Sequence, residues 1–348
     1  MSETAERSAD LIGPSELGPP GGNAFWTVIR RTAVLLSQQR EASVFVVAVA
    51  LGMYFTFASS QFFTHDNVVN VSQVAAPWAI IAIGEVLLLV CGEMDLSVGF
   101  IYTLAPYFMH YLIDFYGVPA YPAVLLALLM GAAVGYINGF ITVVLGVPSF
   151  ITTLGTGFVL DGVMLTTAHA FPAAIPDSTR GIQHWLGGDA WSEIIWALVL
   201  VVVFHIVLTR TRWGLHTIAV GGNIVGAREA GINVAKIKIG NFMITGVAGA
   251  LVGLMEAFRT NTIDPSSGLY TPMFYAIAAA VIGGTAMAGG SGTIAGAFLG
   301  AVVLAELTDG FTILGISANP LPIILGGAIL VAMIGNVYLT RLRRAGRT

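Results

Sequence analysis

The chain has 348 residues, of which 56% are hydrophobic and only 10% are charged. Soluble domains carry roughly 25% charged residues, so this composition excludes an ordinary soluble globular protein and specifies a polytopic membrane protein. The net charge of -4 says little about partners, because in a membrane protein the placement of sign matters more than its sum, and the single cysteine, Cys91, excludes an intrachain disulfide and a cysteine-built metal site.

Residues 1–23 are polar and rich in Gly and Pro, without the apolar stretch of a secretory signal, and read as a disordered cytoplasmic tail. Residues 24–40, opening with AFWTVIRRTAVLL, read as an amphipathic helix lying in the membrane interface. Residues 41–340 form an all-α transmembrane domain. Judged against the ~20 apolar residues a bilayer needs, it divides into ten spans, near 43–60, 70–91, 97–114, 120–142, 149–167, 193–209, 239–258, 270–288, 293–310 and 320–340. Residues 115–160 hold no Asp, Glu, Lys or Arg and make two spans, with Gly117-Val118-Pro119 and Gly146-Val147-Pro148 as breaks. Spans eight and nine are divided only by AGGSGT. The loop 168–192 carries Trp185 and Trp191, which fit interfacial anchors. Residues 341–348 are a basic cytoplasmic tail.

The basic residues orient this count. With the N-terminus inside and ten crossings, Arg7, Arg30, Arg31, Arg40, Arg210, Arg212, Arg228, Lys236, Lys238, Arg341, Arg343, Arg344 and Arg347 all fall inside, leaving only Arg180 and Arg259 of the 15 outside. Positive charge collects on the cytoplasmic side, so the even count with both termini cytoplasmic is the expected topology.

The run GEMDLSVG at Gly92–Gly99 sets Glu93 and Asp95 within a few residues of a membrane core, beside a Ser and two glycines. Carboxylates at such depth are costly and usually line a path or face protein. Backbone that departs from helix geometry is tolerated there only against protein or a water-filled cavity. A short cytoplasmic turn with solvated charges is the alternative. The segment GGTAMAGGSGTIAGAFLG (283–300) spaces small residues for close helix approach, which serves packing or a pivoting helix pair.

The loop 210–238 is long, basic and partly apolar. Asn223 can cap a short helix over Ile224–Ala230, Gly231 can stop it, and Asn233 can cap the next helix, which runs into span seven. The small residues Gly226, Ala227, Ala230 and Gly231 would let a partner surface approach closely; a plain interfacial loop is the other reading.

Four stretches together carry a resemblance: GEMDLSVG (92–99), VPSFITTLGT (147–156), AREAGINVAKIK (227–238) and AVIGGTAMAGGSGTIAGAFLGA (280–301). In their order and spacing, over roughly residues 65–340, the chain resembles the permease subunit of the ribose/xylose/arabinose class of bacterial ABC importers. Glu93-Met94 departs from the Gly-Ile of many relatives. The resemblance implies ten helices per subunit in the bacterial inner membrane, a dimer with a second permease subunit around a central path, and two further partners, a cytoplasmic ABC ATPase and a periplasmic sugar-binding protein. It makes Gly226–Asn233 (Gly226, Ala227, Arg228, Glu229, Ala230, Gly231, Ile232, Asn233) the coupling helix seated on the ATPase. The chain lacks GxxxxGK[ST], so ATP and its magnesium would belong to that ATPase, and no cofactor, metal or nucleic acid is expected on this chain.

For an inward path for a monosaccharide or polyol, the candidate lining or gating residues are Glu93, Asp95, Ser97, Asn138, Ser149, Phe150, Thr152, Thr153 and Asp161. The hydroxyls suit a sugar but can also back-bond to their own helix. Asp161 lies roughly 18 Å into span five by helix rise, where a helix–helix hydrogen bond is the competing role. Glu256 and Arg259 are spaced for an ion pair, and Glu306 and Asp309 are expected to be solvated near the outer end of span nine. A proton-coupled carrier using Glu85, Glu93, Asp95 and Asp161 is an alternative, although it has no need of the small-residue helix. An intramembrane serine protease would use GGSG (289–292), but all six histidines precede Ser291, whereas in rhomboid-like proteases the histidine follows the serine, and HExxH is absent.

Overall fold

The computed structural model describes residues 40–169, 171–267 and 270–316, and of the later chain residues 322, 323, 326, 327, 330, 331 and 334. The expected tail 1–23, the interfacial stretch 24–40 apart from Arg40, and the tail 341–348 lie outside the described residues.

The described residues are mostly helical. In order come α1 (Arg40–Ala58), α2 (His65–Val90), α3 (Val98–Asp114), α4 (Ala120–Val143), α5 (Ser149–Ala168), α6 (Ser192–Arg210), α7 (Arg212–Gly222), α8 (Ile224–Glu229), α9 (Val234–Thr260), α10 (Tyr270–Ile282) and α11 (Ile294–Ile313). Three short helical turns lie between α5 and α6. A two-residue ladder, β1 (Ala173–Ala174) against β2 (Thr262–Ile263), pairs Ala173 with Ile263 antiparallel and ties the connection after α5 to the one after α9.

Among the described residues, 7 helices are long and apolar enough to cross a membrane: α1 from Glu41, α2, α4, α5, α6, α9 and α11. Of the remaining expected spans, 97–114 is the 17-residue α3. The span expected at 270–288 stops at Ile282, because Gly283-Gly284 ends the helix six residues early. The span expected at 320–340 falls largely outside the described residues. A helix not foreseen, α7, occupies the start of the long loop; Thr211 caps it by accepting from the Gly214 N–H at 3.4 Å.

Helix α9 is the centre of the bundle, packed against α4, α3 and α2, while α11 joins α2, α10 and α1. Lipid tails are as apolar as leucine, so burial from water does not drive these helices together; van der Waals contact does, and it favours small interface residues. At the α4–α9 seam a Cβ on Gly135 would lie 2.3 Å from the Phe242 carbonyl oxygen, and one on Gly246 2.2 Å from that of Gly131. Phe242 and Phe258 of α9 are fully buried. By contrast α5 and α6 present Phe158, Val159, Val202 and Ile206 outward, as lipid-facing or partner-facing helices do.

Candidate functional site: the polar break at residues 91–97

Helix α2 ends in a Schellman turn. The Gly92 N–H donates to the Leu89 carbonyl at 3.0 Å and the Glu93 N–H to the Leu88 carbonyl at 2.9 Å, with Gly92 at φ +82°. The chain then runs without regular structure to α3. In apolar surroundings each backbone group of such a break must find a partner; side chains from α2, α5 and the break itself take up the Asp95, Leu96 and Ser97 N–H groups, and one from α4 holds the side chains of Asp95 and Ser97. The Asp95 N–H donates to Glu85 Oε2 at 3.4 Å. The Leu96 N–H donates to Thr153 Oγ1 at 2.9 Å, and that hydroxyl donates to the Ser149 carbonyl at 2.8 Å. Asp95 Oδ1 accepts from the Ser97 N–H at 2.8 Å and from its hydroxyl at 2.6 Å. Asn138 Nδ2 donates to Ser97 Oγ at 2.8 Å and reaches Asp95 Oδ2 at 3.5 Å. Glu85, Asp95, Ser97, Asn138 and Thr153 are all 0% exposed.

Five of the nine candidate path residues, Asp95, Ser97, Asn138, Ser149 and Thr153, therefore meet in one network, and Glu85 joins them. Within the single chain this network sits in the packing behind the surface. Thr152 is also buried, whereas Phe150 is 52% exposed at the start of α5. Asp161 is half-buried, farther along α5, and its Oδ1 is shielded without a hydrogen-bond partner among the described residues. Glu93 leaves the network and pairs with Lys238 Nζ at the start of α9; their side chains are 13% and 12% exposed.

The loop beside the break holds the expected short helix. Asn223 caps α8 by accepting from the Gly226 N–H at 3.0 Å, and Asn233 caps α9 by accepting from the Lys236 N–H at 2.9 Å. Gly231, at φ +79°, closes α8 with a second Schellman turn: its N–H donates to the Arg228 carbonyl and that of Ile232 to the Ala227 carbonyl. Ala227 is buried against Val220, Val234, Ile237 and Phe242, so the helix is anchored by one small side chain. Val225, Arg228, Glu229 and Ala230 stay exposed, which leaves a mixed apolar and charged face.

Toward the other ends of the helices the expected Glu256–Arg259 pair is present, Arg259 Nε donating to Glu256 Oε2 at 3.2 Å. Buried Glu193 also lies 3.6 Å from Arg259 Nε, a third member the sequence did not suggest. Asp309 departs from expectation. It is 7% exposed and accepts from Asn67 and Asn70 of α2 at 2.8 and 2.7 Å, because packing of α11 on α2 covers it. Glu306 is likewise partly covered, facing an apolar cleft between α1 and α11.

Residues 67–334 match the family described as branched-chain amino acid transport system / permease component. The chain is 37% identical over 310 residues to a xylose/arabinose import permease protein of Sulfolobus acidocaldarius, covering 86% of each chain. It is 32% identical to a ribose import permease protein of Escherichia coli, over 87% of this chain and 94% of the relative. An autoinducer 2 import system permease protein of Photorhabdus luminescens is 31% identical, over 86% of this chain and 90% of the relative. No solved structure matches. The chain belongs to this permease family and is a transport component of the membrane.

Proposed function

We propose that this permease is the membrane-spanning subunit of an ATP-driven, binding-protein-dependent importer that carries a monosaccharide or polyol inward, with the pentoses named in its relatives as first candidates. It spans the bacterial inner membrane with ten helices and both termini cytoplasmic, counting α3, α10 and the expected span 320–340 with the seven long apolar helices. A second permease subunit completes the path. A periplasmic sugar-binding protein delivers the substrate, and a cytoplasmic ABC ATPase binds ATP and magnesium.

The observation that carries this reading is α8. A helix of 6 residues, capped at both ends and anchored by Ala227 alone, presents Val225, Arg228 and Glu229 outward. Gly226–Asn233 is thus the segment that seats on the ATPase. In the path, Phe150 faces the substrate and Thr152 stands near it, with Asp161 deeper along α5. Asp95, Ser97, Asn138, Ser149 and Thr153 hold the shape of the wall behind them, and Glu93 sets its inner edge. The test is to identify an ABC ATPase and a binding protein encoded beside this chain and to express the three together. The ATPase should co-purify through α8, and calorimetry on the binding protein should show a pentose or polyol as its ligand. A neighbouring binding protein that takes amino acids and no sugar would overturn the substrate class.

A further inference from the structure

Three segments converge on the last turn of α2 and on Glu93 just beyond it. At the end of α7, a Cβ on Gly221 would sit 1.7 Å from the Val90 carbonyl oxygen, so the two backbones touch. From the connection between α10 and α11, the Gly290 N–H donates to that same oxygen at 2.8 Å. From α9, Asn241 is fully buried, donates to the Leu87 carbonyl at 3.2 Å, and accepts from Trp213 Nε1 of α7 at 2.9 Å. Also from α9, Lys238 pairs with Glu93 across 145 positions of sequence.

These contacts frame α8 on both sides. Gly221 and Trp213 belong to the helix before it, and Lys238 and Asn241 to the helix after it. Tight turns at Asn223 and Gly231 leave little slack between α8 and either neighbour. A displacement of α8 therefore reaches the end of α2 from two directions. That end runs directly into the break held by Asp95 and Ser97. The Gly221 and Gly290 contacts with Val90 are backbone packing, and those of Asn241 are neutral hydrogen bonds. The Glu93–Lys238 pair differs, because two largely shielded charges either meet or separate, and a discrete contact of that kind can bias one arrangement over another.

We infer that Glu93 and Lys238, backed by Asn241, are the positioning residues that pass the movement of α8 to the polar break. This rests on the importer reading, in which α8 seats on the ATPase. The test uses the full complex, with its ATPase and binding protein, in sealed proteoliposomes. Labelled sugar taken up per ATP hydrolysed is measured for the natural chain, Glu93→Gln, Lys238→Met and the exchanged double variant Glu93→Lys/Lys238→Glu. Both single variants should retain the ATPase on purification and go on hydrolysing ATP, while uptake per ATP falls about tenfold, the size of an ordinary coupling between two sites. The exchanged double variant should recover most of that loss. A purely structural pair would instead lower detergent-extracted yield and leave uptake per ATP unchanged in the protein that remains. That outcome overturns the inference, as does a double variant no better than either single. An unsubstituted complex that neither holds an ATPase nor moves sugar would overturn the importer reading itself, and this inference with it.

Discussion

Replacing Thr153 with valine isolates the cost of the break at residues 91–97. The two side chains have nearly the same shape, so no cavity opens and the change is the lost hydroxyl. That hydroxyl accepts from the Leu96 N–H at 2.9 Å in a site with no exposure, so Thr153→Val orphans a buried backbone donor. An orphaned buried donor costs ~1–3 kcal/mol, and about 2 kcal/mol is the expected loss here. Thr245→Val is the matched control. Thr245 is also 0% exposed, but its hydroxyl only donates back to the Asn241 carbonyl at 2.9 Å. That carbonyl keeps its helical partner, so the control should lose no more than about 0.6 kcal/mol, the average for side-chain hydrogen bonds between membrane helices. The assay is unfolding of the purified chain in mixed micelles by graded SDS, followed by circular dichroism. Equal losses in the two variants, or a larger one for Thr245→Val, would refute the claim that Thr153 satisfies the break.

Three further outcomes are expected. Gly231→Val forces a β-branched residue toward φ +79°, a strain of ~1–3 kcal/mol, and should uncouple uptake while the chain is still extracted in normal yield. Arg228→Glu reverses a charge on the exposed face of α8 and should lower ATPase co-purification, whereas normal uptake by both variants would make 223–233 an ordinary loop. With Cys91 replaced by Ala, a cysteine at Ser178 should react with an impermeant maleimide in intact cells and one at Gly222 only after lysis; the reverse pattern would contradict the topology.

What the sequence disclosed was local chemistry. Asn223, Gly231 and Asn233 announced α8 and its boundaries because caps and positive-φ glycines act within a few residues. GEMDLSVG announced a break for the same reason. The partners of that break were not legible: nothing in Asn138 or Thr153 alone says that it answers Ser97 or Leu96, 41 and 57 positions away. Helix α7 was missed because its glycines argue against a helix that tertiary packing nevertheless holds. Asp309 was expected in water because its burial depends on α2, whose Asn70 lies 239 positions earlier. Lys238 read as one more interior-side positive charge, and its pairing with Glu93 required the fold.

The central claim is that this permease carries a sugar inward at the expense of ATP bound elsewhere. The direct measurement is uptake of radiolabelled xylose, arabinose and ribose into proteoliposomes holding the chain, its neighbouring ATPase and the binding protein. Accumulation of at least one of these sugars that requires ATP and stops when either partner is omitted is the predicted result. Uptake by the chain alone, driven by a proton gradient and indifferent to ATP, would contradict the account.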